Sequence, residues 1–459
     1  MAMGGKEQGV EQKEFWIATE DLVPGPGHPF YRMLNGILRK HGFDERVMEE
    51  CQKFYAEDGR PSIPPPVYFR MLMIGYFEGL NSERGIAWRT ADSLSLREFL
   101  GYGLDERTPD HSSLSRIRQR IDVETHQEIL QWALKVLAEE GLLSGKTLGI
   151  DATTLEANAA LRSIVRRDTG EKYEEFLKRL AQESGIETPT REDLAKLDKE
   201  RKHKGSNKDW QHPYDPDARI TKMKDGRTHL AHKAEHAVDM ESGAVVAVTL
   251  CGADQGDTTT LYETFGAALD NLEAVAEERE AELKLHPDWG KEVVADKGYH
   301  SNQTVKDMTD LNVRTYISEP DRGRRNWEEK EEEQEAVYGN RRRIRGERGK
   351  RLMRRRGELV ERSFAHCYET GGMRRTQLKG HAKILKRLLI HVLAFNLSLI
   401  LRQRIGCGTP RELANALKSL IFALFGSMGF PTAWEQRTER IARFWARGSR
   451  LGDQLNIAA

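Results

Sequence analysis

Cysteine is scarce in this chain of 459 residues. Cys51, Cys251, Cys367 and Cys407 lie far apart with no CxxC pair, which argues against a disulfide scaffold and a cysteine-based zinc site and fits a reducing cytosol. Net charge is lacking too, because 72 Lys and Arg balance 72 Asp and Glu. That excludes a wholly basic nucleic-acid coat, but not a basic face offset by acidic segments elsewhere. Long apolar runs are missing. The longest, Leu388 to Leu401, is broken by His391, Asn396 and Ser398, and it falls short of the roughly 18–20 residues a membrane span requires. The opening residues MAMGGKEQGVEQKEFW hold no apolar leader core. A P-loop, a GxGxxG fingerprint and a GxSxG elbow are all absent, so nothing points to ATP, NAD or a serine hydrolase. What is present is 38% hydrophobic and 31% charged residues, with a mean hydropathy of −0.66. That is apolar enough to bury real cores, over a length that allows about two to four domains. The expected location is the cytoplasm.

Residues 1–140 read as an all-helical domain. Leu34, Ile37 and Leu38 recur at helical spacing, as do Tyr68, Leu72, Ile74 and Phe77. Pro61, Pro64, Pro65 and Pro66 suit the start of a helix rather than its interior. Asp110, Ser112 or Ser113 can cap a helix that carries Arg116, Arg118 and Arg120 among apolar positions. The texture changes at Lys146. KTLGIDATTLEAN has a strand pattern, and 161–220 is a charged insertion with an amphipathic helix at EKYEEFLKRLAQE. THLAHKAEHAVDMESGAVVAVTL reads as a hairpin turning at Asp239 to Gly243. A helix over 258–284, a buried strand in KEVVADKGYHS, a helix capped by Ser301 and a strand in NVRTYISEP follow. Residues 322–350 form a second, charge-dense insertion expected to be partly flexible. The chain closes with a helix beginning near Glu358, another over HAKILKRLLIHVLAFNLSLILRQR, and a helical tail, 405–459, bearing Arg440, Arg443 and Arg447. This order predicts an α/β (α+β) fold, with a small mixed sheet in 141–404 flanked by helical parts.

Three acids stand out by position. Asp151 lies in an apolar strand after Leu148 and Ile150, and Asp296 ends the run Val293-Val294-Ala295. A carboxylate on a buried strand needs a hydrogen-bond network, a basic partner or a metal; the plainer alternative is a strand-end aspartate capping a turn. Two such acids on one small sheet supply the hard oxygen ligands that Mg2+ prefers. Glu361 is the third, on a helix with Val360 and Phe364 on its buried side. Its surroundings raise its interest: residues 340–404 hold nineteen Lys and Arg against four acids, a one-sided pattern that suits a phosphate backbone. His229, His232 and His236 share a β-patterned segment without a second ligand cluster, which is a weak zinc signal.

Together these residues resemble bacterial insertion-sequence transposases of the DDE type, the IS4/IS5/IS1182-like group. The matching blocks are Ile150-Asp151-Ala152-Thr153, Ala295-Asp296-Lys297-Gly298-Tyr299, and Val360-Glu361-Arg362-Ser363-Phe364, followed by GGMRR (371–375) and Gly380; PDHSSLSRIRQRI (109–121) resembles the end of the group's helical N-terminal domain. The resemblance implies an RNase H-like mixed-sheet core in which Asp151, Asp296 and Glu361 are the catalytic, metal-binding acids. It also implies two Mg2+ ions, with Mn2+ able to substitute, that cut transposon ends and transfer strands into target DNA. The implied partners are the terminal inverted repeats and target DNA, met by a homodimer at the nucleoid. Arg116, Arg118, Arg120, Lys297, Arg362, Arg374 and Arg375 are the expected DNA-facing residues.

Two departures from the group's pattern matter. Gly357 stands where an Arg is common and Tyr368 where a Lys is, so Glu358, preceded by Arg354, competes with Glu361 for the third position. Glu361 is preferred because Arg362 and Phe364 also match. The rival readings are an RNase H-like nuclease or resolvase that cuts without joining, and a domesticated, catalytically silent DNA-binding protein.

Overall fold

The computed structural model describes residues 27–56, 58, 62–201, 205–223, 226–321, 323 and 325–427. The opening residues, Pro61 and the stretch with Arg440, Arg443 and Arg447 lie outside them.

Seven helices come first: α1 (Pro29–Lys40), α2 (Phe43–Cys51), α3 (Pro65–Glu78), α4 (Glu83–Ala91), α5 (Leu94–Leu100), α6 (His111–Arg120) and α7 (Val123–Glu139). Side-chain caps fix where several begin. Of the three candidates before α6, Asp110 is the cap: its Oδ1 accepts the Ser113 N–H at 2.9 Å. Pro65 and Pro66 occupy the first turn of α3, where a missing N–H costs nothing. That helix is buried along almost its whole length, so it is the core of the helical part.

β1 (Thr147–Glu156) then opens the sheet. An insertion follows, built from β2 (Val165–Arg166), α8 (Tyr173–Glu183), α9 (Arg191–Glu200) and β3 (Trp210–Gln211). Trp210, Ile164 and Leu230 form one of its small apolar clusters, and Leu177, Ala181 and Leu194 form another. The chain continues through β4 (Arg219–Lys222), β5 (Thr228–Asp239), β6 (Val245–Gly252), α10 (Asp257–Ala276), α11 (Arg279–Glu282), β7 (Glu292–Ala295), α12 (Asn302–Asp310) and β8 (Arg314–Ile317). The described residues close with α13 (Glu331–Arg345), α14 (Glu347–Phe364), α15 (His381–Ile405) and α16 (Pro410–Ser427).

The main sheet runs β4-β5-β1-β7-β8, with β6 also on β5. β1 pairs antiparallel with β5 and parallel with β7, and β7 pairs parallel with β8. Two buried asparagines seal its edges. Asn396 of α15 bonds both the N–H and the C=O of Val245 in β6, each at 2.9 Å. Asn340 of α13 does the same for Ile317 in β8, at 3.0 and 2.8 Å. Each amide acts as one more strand residue and removes an open edge.

Two expectations change. Residues 331–345 form a helix rather than a flexible insertion. Glutamates in its first turn and arginines in its last complement the helix dipole, and Ala336 and Val337 pack against Val305 of α12. The helix bearing Glu361 begins at Glu347, eleven residues before Glu358. The helical part and the sheet also share one compact unit up to Gly408, and a second unit begins at Thr409. Among the described residues, His381–Ser419 is the one helical stretch apolar enough to cross a membrane, and 89% of its most apolar portion is buried in protein. A core helix passes the same test.

Three buried histidines set an acid limit. Burial lowers His126 to about 4 and His236 to about 3, and it drives His391, beside Arg387, well below its ordinary value. All three stay neutral in the folded chain but gain protons near pH 6.5 once unfolded. Their contribution is therefore whole above 6.5 and shrinks as pH falls toward 4, by up to about 1.4 kcal/mol per group per pH unit. Thermal melts at constant ionic strength should show the midpoint dropping between pH 7 and pH 5; a flat profile there would contradict neutral burial.

Candidate active site

The two strand aspartates meet because of register. β1 and β7 run parallel with Leu148 beside Val293 and Gly149 beside Val294. Continued two residues beyond its last pair, that register leads to Asp151 and to Asp296, one residue past the end of β7, and Asp296 acts electrostatically on the Asp151 carboxyl. Asp296 Oδ1 accepts the Gly298 N–H at 2.8 Å, starting the turn Lys297–Tyr299. It is thus a strand-end cap and a neighbour of Asp151 at once.

Asp151 faces α14. Its Oδ1 accepts the Ala152 N–H at 2.8 Å, and Arg356 Nη1 donates to its Oδ2 at 2.6 Å. Burial raises the Asp151 carboxyl above its usual range and Asp296 adds to the rise, while Arg356 and the Ala152 N–H oppose it. Beside it on β5, His236 takes Ser363 Oγ at 2.8 Å and the Tyr368 hydroxyl at 2.6 Å. Sequence reasoning passed over Arg356, which lies inside a run of three arginines. The signal was the helical spacing Leu352, Arg356, Val360 and Ser363, which puts this one arginine on the buried stripe.

Glu361 lies on the same helix as Arg356. It is exposed, one residue past buried Val360, and Glu358 is exposed as well. Glu358 is bonded by Arg362 Nη2 at 2.6 Å, so the expected DNA-facing Arg362 already has an acidic partner. Among the described residues no group of three His, Cys, Asp or Glu side chains is gathered closely enough to hold a metal ion.

The other expected residues divide. Arg118 is only 6% exposed and ion-pairs with Glu83, so it ties α6 to α4 instead of facing DNA. Arg116 is exposed and bonds Ser112, and Arg120 lies 5.0 Å from the Tyr55 ring. Lys297 is exposed on the turn after Asp296. Arg374 bonds Thr153 Oγ1 at 3.1 Å and Glu369 at 2.7 Å, and Arg375 pairs with Glu156 at 3.6 Å. Both are next to β1, but each already has an acid. The glycines before them serve packing: Gly372 has φ +74°, and a side chain there would press on the Gly79 carbonyl at the end of α3. Much of the basic run is also neutralised internally, Arg341 by Glu319 and Arg348 by Glu292. Arg351 and Arg354 remain exposed on α14. The histidines scatter: His236 serves α14, buried His232 lies 3.4 Å from Asp215, and His229 is partly exposed.

A family model described as "Transposase DDE domain" matches residues 150–397, more than half of the chain, and one described as "Transposase domain (DUF772)" matches residues 18–120. No curated protein matches the chain, and no solved structure does. The first match spans the sheet, the aspartate pair and α14. The family implies a divalent metal, and the donor chemistry fits in part: Asp151 and Asp296 are hard oxygen donors side by side, with Arg356 standing at Asp151 as the present counter-charge. The chain belongs to the DDE transposase family and is an insertion-sequence transposase, a metal-dependent nuclease and strand transferase of DNA.

Proposed function

We propose that Asp151 and Asp296 are the metal-binding pair of an RNase H-like core, with Glu361 as third acid, and that the chain cuts transposon ends and joins them to target DNA. The observation that carries this reading is the parallel pairing of β1 with β7, whose register, continued two residues, leads to Asp151 and Asp296. The strand sequence β6-β5-β1-β7-β8, antiparallel as far as β1 and parallel beyond it, supports the core assignment. Glu358, committed to Arg362, is the weaker candidate for the third acid.

Mg2+, for which Mn2+ can substitute, supplies positive charge at the scissile phosphate when two ions are bound. The residues do the rest. Asp151 and Asp296 present carboxylate oxygens from a rigid sheet, and Arg356 orients one of them. Exposed Lys297, Arg351 and Arg354 are assigned to the phosphates, with Arg374 secondary because it already pairs with Glu369. Water attacks the phosphodiester at the end, leaving a 3′-OH on the transposon and a 5′-phosphate on the flank; that 3′-OH then attacks a target phosphodiester and displaces a target 3′-OH, so no covalent protein intermediate is required. Double-stranded terminal repeats, a homodimer and a place at the nucleoid complete the proposal.

Asp296→Asn should abolish Mg2+-dependent cleavage while leaving DNA binding and folding intact. The amide oxygen can still accept the Gly298 N–H, but the charge that holds a cation is gone. Parallel cleavage and binding assays decide, and joint loss of binding and folding would leave Asp296 a purely structural cap.

Replacing Arg351 and Arg354 together with Ala should lower the salt slope of DNA binding by about two units. The Arg374/Arg375 double variant should lower it less, because both side chains already pair with acids. Binding measured over a range of salt checks this; a larger loss from the Arg374/Arg375 variant would reverse the assignment.

A further inference from the structure

The sheet face opposite α14 hides charges that the site described above does not use. Lys233 and Glu235, on the central strand β5, are 5% and 0% exposed. Glu235 stands across from Ala152 and Lys233 across from Thr154, so both point away from the Asp151 side chain. Their groups are well satisfied. Lys233 Nζ lies 2.9 Å from Glu235 Oε1 and donates to Asp257 Oδ1 at 2.6 Å and Thr260 Oγ1 at 2.9 Å. Glu235 accepts from Thr264 at 2.7 Å, from Thr260, and from the Tyr299 hydroxyl at 3.1 Å.

Stability alone is a weak reason for such a cluster, since a buried ion pair often gains nothing over apolar side chains of similar volume. Its reach is more informative. Tyr299 closes the turn that Asp296 begins, on the end of β7, yet its hydroxyl bonds β5, two strands away. The phenol, 1% exposed, therefore crosses beneath β1 at the level of Asp151. The same turn abuts a second group: a side chain on Gly298 would collide with the Asp257 carboxylate, and Lys233 bonds Asp257. Both arms refer back to β5, the strand that also pairs with Asp151.

We infer that Lys233, Glu235 and Tyr299 form a positioning bracket that sets Asp296 against Asp151 for metal binding, with Asp257 as its second arm. These are positioning residues that touch neither substrate nor metal. The inference rests on Asp296 being a metal-binding acid.

Tyr299→Phe removes only the hydroxyl, and Glu235→Gln keeps the shape. Mn2+ binding to each purified variant, followed by electron paramagnetic resonance without DNA, should weaken about tenfold, as for other supports one shell from a metal. The thermal midpoint, and affinity for duplex DNA of generic sequence in EDTA, should stay at wild-type values. Should Glu235→Gln fail to fold, Tyr299→Phe decides. Mn2+ affinity within about twofold of wild type would overturn the bracket, as would a loss matched by equal losses in melting temperature and DNA affinity. Asp296→Asn serves as the control and should lose Mn2+ binding. Wild-type binding there would overturn the site assignment itself and the bracket with it.

Discussion

The parallel pairing of β1 with β7 is the constraint on which the proposed aspartate site depends. A slip of one residue would turn every side chain of one strand to the other face, and Asp151 and Asp296 would no longer meet. The strands are brought together by a crossover through β5, β6, α10 and α11, and each face of the sheet is covered. His236 locks α14 to the Asp151 face through Ser363 and Tyr368. On the far face Thr264 of α10 bonds both Glu235 and Thr249. The buried polar bonds specify which helix lies where, a role that apolar packing performs less selectively.

Charge explains how the rest is arranged. The basic half of the chain reads in sequence as a phosphate surface, but much of it is internal scaffolding. Arg341, Arg348, Arg356 and Arg118 each answer an acid on another element. Arg387 is buried, bonds His391 at 3.0 Å and donates to the Leu80 carbonyl at 3.0 Å, joining α15 to the loop after α3. That bond, with the glycine turn against Gly79, makes the helical part and the sheet one unit. The arginine at Asp151 has a further consequence. The guanidinium already offsets part of the charge on this carboxylate, and further along the same helix Glu361 is exposed.

Much of the local structure was legible. The strands at Asp151 and Asp296, the hairpin turning at Gly243, the cap at Ser301 and the helical first third were all readable, because period, capping and turn chemistry act over a few residues. The helix at 331–345 was not, since it buries few apolar groups and its charges resemble those of a flexible segment until their order along the helix dipole is considered. Arg118 and Arg356 were opaque for a related reason. An arginine looks the same in sequence whether it faces phosphate or a buried carboxylate, and both partners of these two lie far away along the chain.

The sequence by itself determined the family, the two strand aspartates and the order of the elements, because those are carried by short motifs and by periodicities of two and 3.6 residues. Tertiary structure alone decided that the register of β1 and β7 leads to Asp151 and Asp296, that Arg356 bonds Asp151, and that a tyrosine hydroxyl reaches a glutamate on β5. Each of these depends on strand register or on the rotation of a helix about its axis. Both are set by packing between segments distant in sequence, and no local pattern encodes them.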